Sequence, residues 1–152
     1  MTSDRIDPVV VPSAGRPPSP YLAVRRFGGV LYLNGQLPYV DGALPASGVV
    51  GDTVDVEQAA ECARVAAHGV LGVLEREVGL DRVNAILRVT VYVASAPGFT
   101  EQPAVANAAS AVLVDALGER GRHARSAIGV AALPKGAPVE VEVTAAFDER
   151  AR

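Results

Sequence analysis

Between Thr53 and Gly79 the apolar residues Val56, Ala59, Ala60, Ala63, Ala66, Ala67, Val70, Val73 and Leu74 recur at spacings of three and four, the pattern of a helix with one buried stripe. Most of that stripe is alanine. Side chains this small let a helix axis approach a flat partner closely, so the helix is expected to lie on a sheet. Its start is expected near Thr53 or Asp55, where Asp55 and Gln58 have the spacing of a capping box. The rest of the chain must therefore supply strands.

It does. Ile86 to Ala94 alternates, with Val89, Val91 and Val93 on one side and Arg88, Thr90 and Tyr92 on the other, which is strand periodicity. Tyr21 to Arg26 and Val30 to Asn34, joined through Gly28-Gly29, read as a hairpin, and residues 39–52 as a punctuated loop. A second helix is expected from about Pro103 to Leu117, stopped by Gly118. Strands are expected over Ser126–Ala132 and Val139–Phe147, separated by the Leu133 to Pro138 break. The order β-β-α-β-α-β-β implies an α+β domain with both helices on one face of a mixed sheet. Apolar neighbours such as Val30/Leu31 and Ile86/Leu87 put hydrophobic side chains on both faces. The face without helices is thus expected to be covered, most economically by symmetric subunits.

The chain has 152 residues, 49% hydrophobic and 20% charged, and a formal net charge of -3. Such a balance suits one globular domain and gives no electrostatic footprint for nucleic acid. Residues 1–20 hold five of the 11 prolines and are expected to form an extended arm, with the domain over 21–152. No apolar run of signal-peptide or membrane-span length occurs, so no membrane partner and a cytoplasmic location are expected. The single cysteine, Cys62, falls within the first helical stripe and reads as a small buried hydrophobe.

His68, His123 and one cysteine make no set with metal-ligand spacing, and no glycine-rich phosphate loop is present. Neither metal nor cofactor is expected. The densest basic stretch is Arg120, Arg122, His123 and Arg125. A solvated loop explains most of it, but Arg125 adjoins a strand, where a planar guanidinium is suited to a carboxylate. Glu140 and Glu142 look onto one surface of the final strand, about 6.5 Å apart. Taken alone they read as a solvent-facing edge. A cationic anchor plus a carboxylate is nonetheless a minimal kit for binding a small acid and activating water beside it.

Tyr21, the run Leu31-Tyr32-Leu33-Asn34-Gly35-Gln36-Leu37-Pro38, Asn107, Ala124-Arg125-Ser126, Leu133-Pro134 and Val139-Glu140-Val141-Glu142 fall in an order and spacing that closely resemble the Rid family of reactive intermediate deaminases, formerly the YjgF family. The resemblance covers roughly residues 20–147. It implies a chorismate-mutase-like fold, a homotrimer with clefts between subunits, and hydrolysis of amino-acid-derived enamines or imines to 2-keto acids and ammonia without metal or cofactor. By position, Arg125 would bind the substrate carboxylate and Glu140 would orient or activate water. Tyr21, Asn34, Gly35, Asn107, His123 and the main-chain carbonyl of Ala127 would line the substrate site. Asn34, His123 and Leu22 depart from the family pattern and place the chain in a divergent branch. Two other readings stay open, a keto-acid binding module and a biosynthetic enzyme using the same intersubunit pocket.

Overall fold

In a computed structural model of the chain, the described residues are 20–149, so nearly all of the expected N-terminal arm lies outside them. Helix α1 spans Val56–Glu77 and carries the anticipated cap: Asp55 Oδ1 accepts from the Gln58 amide at 2.8 Å, and Gln58 Oε1 accepts from the Asp55 amide at 3.0 Å. That reciprocal pair satisfies two amides at the helix start. Helix α2 spans Gln102–Leu117, with Pro103 in its first turn. The strands are β1 (Val24–Phe27), β2 (Val30–Leu33), β3 (Val83–Ala94), β4 (Ala124–Val130) and β5 (Val139–Phe147).

The strands form one sheet in the order β1-β2-β5-β3-β4. Every neighbouring pair is antiparallel except β3 with β4, which run parallel through the α2 crossover. Both helices lie on one face. There Val89, Val91 and Val93 of β3 and Val139, Val141 and Val143 of β5 are at most 1% exposed, packed with Ala59, Ala63, Ala66 and Ala67 of α1. Each fully buried valine contributes about 1.5–3 kcal/mol relative to exposure. Cys62 belongs to the same layer, and burial pushes its thiol above the ordinary range.

The opposite face carries Arg88, Thr90 and Tyr92 of β3, Glu140, Glu142 and Thr144 of β5, and Ser126 and Ile128 of β4. No element of the described residues covers it. Tyr32 is 50% and Ile128 42% exposed.

Several strand boundaries differ from expectation. β3 begins at Val83, earlier than Ile86, and β1 begins at Val24 rather than Tyr21. β4 begins at Ala124 and ends at Val130 because its parallel pairing with Arg88–Ala94 draws Ala124 and Arg125 into the sheet. Short 3-10 turns at Leu80–Arg82, Gly118–Gly121 and Pro134–Gly136 complete the connections.

Candidate functional site

Arg125 is the second residue of β4 and pairs with Val89, so its side chain leaves the sheet on the helix face. There α2 meets it. Nη1 of Arg125 donates to Asn107 Oδ1 at 2.9 Å and to Ser110 Oγ at 3.1 Å. Asn107 and Ser110 stand three residues apart and so share one side of α2. Ser110 Oγ is also 2.9 Å from His123 Nε2, while His123 Nδ1 is 2.6 Å from the Gly121 carbonyl oxygen. A carbonyl only accepts, so in the neutral imidazole Nδ1 carries the proton and Nε2 accepts from the serine hydroxyl. Ser110, Val114, Arg122, His123 and Arg125 line a cavity of about 390 Å³.

The basic stretch divides in its uses. Arg120 Nη1 donates to the carbonyls of Leu80 and Val83 at 3.1 and 2.6 Å, tying the turn after α2 to the start of β3. Arg122 is exposed and pairs with Glu119 at 3.2 Å. Arg125 alone of the three is held by side chains of α2.

Glu140 belongs to a second cluster. It pairs with Tyr92 and looks from the face opposite to Arg125. Its carboxyl lies against Gly35, where an added Cβ would sit 1.8 Å from Glu140 Oε1. The chain can pass so closely only because residue 35 has no side chain. Gln36 fixes this approach, exchanging two backbone hydrogen bonds with Val141 at 2.8 and 3.0 Å. Its amide nitrogen Nε2 also donates to Asn34 Oδ1 at 3.0 Å. Burial, then the neighbouring Glu142 charge, raise the Glu140 carboxyl above the usual carboxylate range. Asn34, Gly35 and Gln36 border a cavity of about 440 Å³ shared with Tyr39, Gly69 and Arg76.

The residues expected to form one site thus fall into two groups within a single chain. Asn107, His123 and Arg125 meet on the helix face, and Asn34, Gly35 and Glu140 meet across β2 and β5. Ala127 lies two residues beyond Arg125 on the same side, packed against the core. Tyr21 is 66% exposed, ahead of β1. Ser110 is the site residue that motif reading passed over, while Gln36 stood in the motif run without an assigned role. Among the described residues no cluster of three His, Cys, Asp or Glu side chains is placed to hold a metal ion. No helix there is long and apolar enough to cross a membrane.

Two helices on one face of a mixed five-stranded sheet, with an arginine fixed by the second helix, define an α+β protein of chorismate-mutase-like fold. The family described as Endoribonuclease L-PSP matches residues 13–147, and the chain belongs to it, as a YjgF-type member. The chain is similar to Protein TCP17 of Trypanosoma cruzi, 40% identical over 136 residues, which cover 88% of this chain and 85% of that protein. It is also similar to Atu1372 of Agrobacterium tumefaciens, a protein of unknown function, with a TM-score of 0.84, 36% identity and coverage of 86% and 83%. The YjgF gene product of E. coli gives a TM-score of 0.61 at 27% identity, covering 84% of this chain and 88% of that one.

Proposed function

We propose that the protein hydrolyses reactive enamines or imines derived from amino acids, of the 2-aminoacrylate kind, to 2-keto acids and ammonia. The observation that carries the reading is the fixed guanidinium of Arg125. Nη1 is occupied by Asn107 and Ser110, which leaves the Nε and Nη2 donors to meet a carboxylate in a two-pronged fashion beside an open cavity. An anchored acid of this kind would hold its imine carbon at a fixed distance from the cavity wall.

Glu140 supports the same reading from the other side. A carboxylate whose proton affinity is raised by burial and a like charge is a stronger base toward water than an exposed one. Water would add to the imine carbon, its proton passing to Glu140. The resulting carbinolamine would then take that proton back on nitrogen and, as its C–N bond breaks, pass its hydroxyl proton to Glu140, leaving the 2-keto acid and ammonia. Because Arg125 and Glu140 look from opposite faces of one sheet, a shared substrate requires Arg125 of one copy to meet Glu140 of another. A homotrimer with its clefts at the subunit seams satisfies that requirement and would cover the exposed face bearing Tyr32 and Ile128.

A ribonuclease reading, which the family description invites, gains little support. The net charge is -3, and the two histidines form no pair, His68 being exposed on α1 while His123 bonds Ser110 and the Gly121 carbonyl. The test is ammonia release from freshly generated 2-aminoacrylate, with light scattering for the assembly. Acceleration over buffer that is lost in Arg125→Ala supports the proposal. A purified trimer that leaves imine decay unchanged sinks it.

A further inference from the structure

We propose that Ser110 is a nucleophile activated by His123, and that the cavity they share takes small esters bearing an acid group. The inference stands apart from imine hydrolysis. It rests on a continuous chain of hydrogen bonds: the Gly121 carbonyl accepts from His123 Nδ1 at 2.6 Å, His123 Nε2 accepts from Ser110 Oγ at 2.9 Å, and Ser110 Oγ accepts from Arg125 Nη1 at 3.1 Å.

Each link has a chemical consequence. The carbonyl fixes the tautomer, so the basic nitrogen of the imidazole is the one that faces the serine. A base hydrogen-bonded to a hydroxyl, and itself oriented by a third group, is the arrangement that turns a serine into a nucleophile. The guanidinium on the far side of Oγ stabilises negative charge as it develops there. Arg122 and Arg125 both line the cavity, and the Nε and Nη2 groups of Arg125 make no hydrogen bond within the described residues. They supply donors for the acid group and for the oxygen of a tetrahedral intermediate.

In the proposed step the Ser110 Oγ–acyl carbon bond forms as the hydroxyl proton passes to His123 Nε2. Collapse of the intermediate breaks the ester C–O bond, and the leaving alkoxide takes that proton. Water, deprotonated by the same nitrogen, then adds to the acyl carbon, and the Oγ–acyl bond breaks as Oγ takes that proton back and the acid is released.

A small fluorophosphonate tests the pair directly, because its P–F bond breaks and fluoride leaves as Oγ bonds to phosphorus. Peptide mapping of the intact folded protein should find the label on Ser110, formed at least tenfold faster than on Ser47. Ser47 is an exposed serine whose hydroxyl instead donates to the Gly136 carbonyl, at 3.1 Å, and so serves as an internal standard. Labelling at Ser110 no faster than at Ser47 overturns the proposal without any variant. In His123→Gln, with its fold checked by circular dichroism, Ser110 labelling should fall at least tenfold. An unchanged rate in that folded variant overturns it equally.

Discussion

Glu140 and Gly35 touch: a methyl group added to residue 35 would stand 1.8 Å from the Glu140 carboxyl oxygen and 2.6 Å from its carbon. The carboxyl that the proposed mechanism assigns to water is therefore positioned by the absence of a side chain on β2's continuation. Gly35→Ala is expected to force Glu140 out of place and to cost about 1–3 kcal/mol, as overpacking does. Chemical denaturation should show Glu140→Ala restoring most of that loss in the double variant, while imine hydrolysis stays abolished. An additive double-mutant cycle would mean that the two residues do not constrain each other.

Arg125→Ala should lower kcat/KM for an imine substrate about 10- to 100-fold, the worth of a charge-assisted hydrogen bond of about 1.5–3 kcal/mol. Arg125→Lys keeps the charge and loses the planar fork, so it should recover only part of the rate. Steady-state ammonia release reads both. Full activity in Arg125→Ala would remove the arginine from substrate binding.

The raised proton affinity of Glu140 has a signed consequence for stability. Its folded-state pKa lies above the unfolded value, so its contribution is fully present below the unfolded pKa and is lost as pH rises through the folded one. Glu140→Gln should therefore melt higher than wild type at pH 7–8, and the gap should close near about pH 4, where unfolded-state glutamate is protonated. Thermal melts across that range check the sign. A variant less stable at pH 8 than at pH 4, relative to wild type, contradicts it.

Two glycines predict opposite outcomes. Gly72 sits exposed in the interior of α1, where an added Cβ meets nothing within 4 Å, so Gly72→Ala should stabilise by about 0.5–1 kcal/mol. Gly121 is buried, and a Cβ there would stand 2.2 Å from the Leu113 carbonyl oxygen. Gly121→Ala should destabilise and displace the carbonyl that holds His123. Denaturant midpoints for the pair decide both.

Much of this architecture is legible along the chain because its cues are local. The Asp55/Gln58 cap, the alanine stripe of α1 and the alternation of Val139–Phe147 each depend on residues a few positions apart, and the structure has them where the periodicity puts them. The face on which Arg125 lies is not local. It follows from the parallel register that sets Arg125 beside Val89, and so the motif that joined Arg125 to Glu140 said nothing of the sheet between their side chains. Ser110 carried a fainter signal. With Asn107 it is one of two polar residues in the run from Pro103 to Val114, three apart in a stretch that is otherwise apolar. Such a pair marks a helix side that meets something polar.

The central strand of the sheet, β5, is the last in chain order, standing between β2 and β3. During synthesis the β1–β2 hairpin and the β3–α2–β4 crossover would leave the ribosome as two half-sheets with facing, unpaired edges. Their closure waits for residues made more than a hundred positions after the hairpin, a separation that slows folding and leaves apolar edges open meanwhile. Glu140 arrives with that strand, so the water-activating half of the proposed chemistry is absent until the chain can fold, and no partly made copy can carry it.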